Sequence, residues 1–145
     1  MRENLLLELI NLLNPDVIFL QETKIEDKIF PSQSFFDLGY NHLFFKGEKS
    51  YNGVACISRI PFDDSGYRNW LNLEDCRHIY IRFNELTINN FYVPAGGDIP
   101  DIINNEKFEH KVSFLLEMES WFSKKPIQRK EILLGDLNIA PLPDD

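Results

Sequence analysis

The chain has 145 residues, 43% of them hydrophobic and 26% charged, with a formal net charge of −8. That length fits one domain around a single core, and a Phe-rich composition without low-complexity tracts or short repeats argues against disorder. The acidic balance counts against a strong non-specific grip on nucleic acid, which comes mainly from Lys and Arg against phosphates, but leaves open a carboxylate site whose bound cation reverses the local field for an anionic substrate.

Cys56 and Cys76 make neither a disulfide framework nor a Cys-x-x-Cys zinc motif. Leu5-Leu6-Leu7 is interrupted by Glu8 and Asn11, so it reads as neither signal peptide nor membrane span. A reducing, cytoplasmic setting without a membrane partner is the expectation.

In chain order, the apolar residues Leu5, Leu6, Leu9, Ile10, Leu12 and Leu13 recur at helical spacing from Arg2 to Leu13, and Asn14-Pro15 stops the helix. Asp16 to Glu22 then changes to a continuous apolar run of strand length that ends in a carboxylate. Pro31 to Leu38 predicts a short helix closed by Gly39, and Tyr40 to Phe45 a strand. A polar loop from Lys46 to Gly53 leads into a buried strand, Val54 to Ser58. Asp63 to Asp75 gives no clean period and reads as loop, with a turn around Trp70.

Ile79, Ile81 and Phe83 alternate with His78, Tyr80 and Arg82, and Leu86 to Val93 follows an Asn84-Glu85 turn, so the pair reads as a hairpin. Pro94 to Asp98 is a breaker cluster before a helix over about Asn105 to Phe122. Lys130 to Asp136 is a second apolar run ending in a carboxylate, which predicts a strand covered on both faces. Helix, short loop, apolar strand and terminal carboxylate thus occur twice, once ending at Glu22 and once at Asp136.

Two strand-end carboxylates, with Asn138 two residues beyond Asp136 and on the same side of an extended chain, offer hard oxygen ligands for a cation such as Mg²⁺, which takes one or two carboxylates plus a substrate phosphate. The same pattern also arises when carboxylates simply end strands at the solvent edge.

Four motifs read together carry a resemblance: Leu20-Gln21-Glu22-Thr23-Lys24, Tyr51-Asn52-Gly53-Val54-Ala55, Asn90-Phe91-Tyr92-Val93-Pro94 and Gly135-Asp136-Leu137-Asn138-Ile139-Ala140-Pro141. In this order the chain resembles the exonuclease III family of DNA-repair nucleases, within the endonuclease/exonuclease/phosphatase superfamily, and Lys107 to Lys111 resembles that family's helix start. The implied fold is α+β: part of a four-layer α/β sandwich, holding the first sheet with its flanking helices and the start of the second, without the family's first strand or most of its second half. Residues 1–145 would be one partial domain of that kind.

The resemblance further implies a Mg²⁺-dependent phosphodiesterase, with Mn²⁺ as an alternative ion, acting on double-stranded DNA at abasic sites or 3′ ends. Glu22 corresponds to the metal-binding glutamate. Asp136 corresponds to the aspartate that activates or protonates around the scissile phosphate, and Asn138 positions the phosphate or the ion's water shell; both join Glu22 in the implied metal site. Tyr92 corresponds to the tyrosine whose hydroxyl approaches the phosphate, its alternative being a strand aromatic in the core. Arg77 and Lys111 are candidate DNA contacts, or solvated surface charges.

The sequence also departs from that family. The family's second half brings an Asp-Asn pair, a Trp-containing loop and an Asp-His dyad. No Asp-His dipeptide occurs in these 145 residues, and His42, His78 and His110 stand in unrelated contexts. The expectation is a chain inactive alone, either a non-catalytic fragment or gene remnant, or a subunit that folds and works with a complementary chain, and poorly soluble without one.

Overall fold

The computed structural model describes residues 3–126 and 130–139, with the side chain of Glu3 excepted. Helix α1 (Glu3–Leu13) is followed by strand β1 (Val17–Gln21), a 3-10 turn at Asp27–Ile29, the short helix α2 (Ser32–Phe36), and strands β2 (His42–Lys46) and β3 (Val54–Ser58). Strand β4 (Asp64–Tyr67), a 3-10 turn at Trp70–Asn72, strands β5 (His78–Phe83) and β6 (Leu86–Tyr92), helix α3 (Glu106–Ser123) and strand β7 (Lys130–Asp136) complete the order.

Two sheets result, one in the order β1-β3-β2 and one in the order β4-β5-β6-β7. Among the described residues only β6 and β7, joined through α3, run parallel, and every other pairing is antiparallel. The sheets stack face to face, β1 lying across β6 and β7 while β2 lies across β4 and β5.

Side-chain alternation assigns each layer its core. Ile18 and Leu20 of β1 with Ala55 and Ile57 of β3 pack against Ile10, Phe30, Phe35 and Tyr40 on the helix side. Val17 and Phe19 with Val54 and Cys56 face Ile79 and Ile81 of β5 between the sheets. On the far side, Phe91 and Val93 pack with Trp70, Phe114 and Met118 under α3. The order helix, sheet, sheet, helix is the four-layer sandwich expected from the resemblance.

The structure differs from the sequence reading in two places. Part of the segment from Asp63 to Asp75 is ordered secondary structure: β4 is a four-residue edge strand whose Ser65 and Gly66 pair with Ile81 and Tyr80. It escaped detection because Asp-Ser-Gly-Tyr carries no apolar alternation. Strand β7 is not covered on both faces; it is a sheet edge, with Ile132 and Leu133 44% and 40% exposed. An apolar run records what a strand can bury, and among the described residues this one is covered only in part. Leu5, Leu9 and Leu12 of α1 are also exposed.

Candidate active site at the ends of β1, β6 and β7

The three strand ends meet at one corner. β6 and β7 are in register with Tyr92 beside Asp136, and Val93 N–H donates to the Asp136 carbonyl at 2.9 Å. Across the gap between the sheets, the Tyr92 hydroxyl donates to Glu22 Oε1 at 2.6 Å. Strand β1 thus delivers Glu22, β6 delivers Tyr92 and β7 delivers Asp136 to a single place.

Local chemistry explains the delivery. Glu22 takes a left-handed backbone, φ 53°, which is uncommon for a residue with a side chain and costs about 1–3 kcal/mol unless its surroundings over-determine it. They do so here through the second motif: Thr23 N–H donates to the Gly53 carbonyl at 3.1 Å and Lys24 N–H to the Asn52 carbonyl at 2.9 Å. Gly53, at φ 94°, lies so close to Thr23 that a Cβ would collide with its hydroxyl. Gly135 has the same constraint, at φ 126° and against the Phe91 carbonyl, which lets β7 close on β6 one residue before Asp136.

Electrostatics bias each group. The Lys24 ammonium, 2.6 Å from Glu22 Oε2, and then the Tyr92 hydroxyl hold the Glu22 carboxyl below its ordinary range. Burial, followed by the bond to Glu22, pushes the Tyr92 hydroxyl up to about 12, so it stays protonated as a donor. The Asp136 charge also acts on Tyr92 in the raising direction. Asp136 Oδ1 accepts the Asn138 N–H at 2.9 Å, and Asn138 Nδ2 donates to the Val93 carbonyl at 2.8 Å, so Asn138, at φ 49°, folds the chain back over the end of β6.

Arg77 and Lys111 stand behind this corner. Arg77 Nε donates to Asp75 Oδ2 at 2.7 Å, its Nη1 donates to the Tyr92 carbonyl at 3.2 Å, and its guanidinium lies 4.9 Å from the Tyr92 ring centroid. Lys111 Nζ donates to the carbonyls of Asn138 and Ala95. Of the sequence-selected residues, Glu22, Tyr92, Asp136 and Asn138 form one connected set, with Arg77 and Lys111 buttressing it.

Sequence reasoning gave no role to Lys24, Asp75, Gln21 or Asn90. Gln21, Lys24 and Asn90 lie inside the quoted motifs, which was the available signal. Asp75 lies in the segment without a period and had none.

Among the described residues no group of three or more His, Cys, Asp and Glu side chains converges to hold an ion. The donors at the corner are carboxylate oxygens, Glu22 and Asp136, on either side of Tyr92. Such a set fits a hard cation that keeps several of its own waters and takes further oxygens from a phosphate.

The endonuclease/exonuclease/phosphatase family model matches residues 2–145. The chain belongs to that family. Within it, the chain is similar to exodeoxyribonuclease III of Haemophilus influenzae, 31% identical over an alignment of 137 positions that covers 88% of this chain and 49% of the relative. Among solved structures it is similar to an AP endonuclease from Archaeoglobus fulgidus, with a TM-score of 0.85 and 29% identity over 99% of this chain and 55% of that one. A 3′ phosphatase from Neisseria bound to a product DNA hairpin superposes with a TM-score of 0.80 at 29% identity, covering 97% of this chain and 55% of that one. This member of the endonuclease/exonuclease/phosphatase family thus spans about half the length of these relatives. No described helix is long and apolar enough to cross a membrane.

Proposed function

We propose that the chain supplies one wall of a Mg²⁺-dependent DNA phosphodiesterase site acting at abasic sites or 3′ ends, in a cytoplasmic setting, and that further polypeptide completes it. The observation that carries this reading is the convergence of Glu22, Tyr92 and Asp136 from two separate sheets. Glu22 and Asp136, with Asn138 behind them, would hold the ion, and Mn²⁺ would suit the same oxygen donors. What a bound divalent ion supplies here is charge neutralisation and Lewis-acid polarisation at a phosphate oxygen.

The chain's own residues divide the remaining work. Asp136 takes a proton from the attacking water or returns one to the leaving oxygen. With the Glu22 oxygens engaged by an ion, Tyr92 would turn its single retained proton from Glu22 to a phosphate oxygen, where a donor stabilises developing charge. Asn138 fixes the chain that follows Asp136 against Val93 at the end of β6, and Arg77 and Lys111 set positive charge beside the DNA backbone.

Completion has a physical place in the fold. Among the described residues β1 pairs only with β3 and β7 only with β6, so the two strands that carry Glu22 and Asp136 are both sheet edges. They lie on the same side of the sandwich. Unpaired strand edges template the addition of further strands, and the exposed leucines of α1 adjoin the β1 edge, where Leu5, Leu6 and Leu9 share a groove with Leu20 and Glu22. A complementary chain would dock there.

The test is an abasic-site duplex with Mg²⁺, incubated with the purified chain alone and with the part of the Haemophilus exodeoxyribonuclease III that the chain does not match. Nicking by the mixture, abolished by Asp136→Ala, is the expected result. Silence from both preparations would count against a phosphodiesterase, and full nicking by the chain alone would remove the need for a partner.

A further inference from the structure

The layer between the two sheets has an apolar core of Val17, Phe19, Phe44, Val54, Cys56, Ile79 and Ile81, and a polar side chain reaches into it from β6. Asn90 of β6 is completely buried. Its Nδ2 donates to the Leu20 carbonyl at 3.0 Å and to the Ala55 carbonyl at 3.3 Å, and its Oδ1 accepts Gln21 Nε2 at 2.6 Å. One side chain of the second sheet therefore bonds both β1 and β3 of the first.

The location gives these bonds a purpose. Leu20 and Gln21 directly precede Glu22, and Asn90 precedes Tyr92 by two residues and faces the same way. Packing between sheets is non-directional, and among the described residues β1 is held by a ladder on one side only, so apolar contact alone leaves its end free to slide against β6. Three directional bonds remove that freedom, because breaking them leaves the polar atoms of the completely buried Asn90 side chain without partners. We infer that Asn90 is a positioning residue, which locks the end of β1 to β6 and so holds Glu22 at the Tyr92 hydroxyl.

This inference rests on the proposed site for its functional meaning, but it is read out without activity. In chain labelled with ¹³C at tyrosine Cζ, the Tyr92 resonance is assigned through Tyr92→Phe, and Glu22→Ala defines its position when the hydroxyl loses its acceptor. Asn90→Leu is expected to move the resonance most of the way to that position, and Gln21→Leu, which removes one of the three bonds, is expected to move it part of the way. Asn89→Ala is the control, since Asn89 faces α3, where it bonds His78; it should lower the melting temperature and leave Tyr92 unmoved.

A Tyr92 resonance at its wild-type position in both Asn90→Leu and Gln21→Leu would overturn the inference, as would an equal displacement in Asn89→Ala. Should Asn90→Leu fail to fold, Gln21→Leu against Asn89→Ala decides alone. An absence of nicking activity would count against the phosphodiesterase and not against the clamp.

Discussion

Tyr92 and Glu22 are 70 positions apart in sequence and lie in different sheets, yet the hydroxyl of one donates to the carboxylate of the other at 2.6 Å. On the other side Tyr92 stands in register with Asp136. The tyrosine thereby links the end of β1 to the end of β7.

In the proposed nuclease, assembled from this chain and its complement, Asp136→Ala should lower the nicking rate by about 10²–10⁴, the usual cost of losing a positioned general acid or base. Binding of abasic duplex, followed by anisotropy in the absence of Mg²⁺, should change little or tighten, since the substitution removes a negative charge beside the phosphate. Equal losses in binding and rate would show that Asp136 holds the substrate and does not act on it.

Gly135→Ala should destabilise by more than about 1 kcal/mol, because the residue has a positive φ that L side chains resist and its Cβ would meet the Phe91 carbonyl. A melting temperature close to that of the wild type would mean that β7 can shift away from β6 without cost, and Asp136 would then not be fixed beside Tyr92.

Much of this architecture was legible because period and chemistry agree. Val54 to Ser58 is five consecutive residues that are all buried, and the alternation of Ile79 and Ile81 against His78 marks which face of β5 meets the first sheet and which meets α3. Glu22, Tyr92 and Asp136 were visible as residue types at strand ends. Their convergence was implied by the family resemblance and not by any local pattern, because the strands belong to different sheets and the pairing is fixed by Asn90, whose burial a local pattern cannot report. Likewise the Arg77 side chain resembles a free surface charge until Asp75, from a segment without periodicity, is placed beside it.

Arg77 and Asp75 should couple in a double-mutant cycle by about 0.5–3 kcal/mol of stability. Their side chains are 15% and 19% exposed, and burial keeps the Asp75 carboxyl above its ordinary range even against the guanidinium. Either single alanine variant should therefore cost more than the pair removed together. Additive losses, with weakened DNA binding only in Arg77→Ala, would assign Arg77 to substrate contact alone.

His78 should make the fold acid-sensitive. Its ring stacks on Phe91 beneath Trp70 and Trp121, and burial pushes the imidazole down to about 4, with Lys125 and Arg68 adding to the same direction. The unfolded chain binds the proton near pH 6.5, so the neutral ring's contribution is complete above that value. It is lost as the pH falls toward the folded value, by about 3 kcal/mol at most. Urea titrations between pH 7 and pH 4.5 should show a steeper loss in the wild type than in His78→Phe, and parallel curves would contradict the assignment.

The most direct measurement is Mn²⁺ titrated into isotopically labelled chain, with paramagnetic broadening followed residue by residue. The account predicts that the side-chain resonances of Glu22, Tyr92 and Asp136 broaden first and together, and that Glu22→Gln raises the Mn²⁺ concentration required. Broadening that begins instead at other acidic positions, such as Asp64, Glu85 and Glu131 on the opposite face of the second sheet, would contradict it.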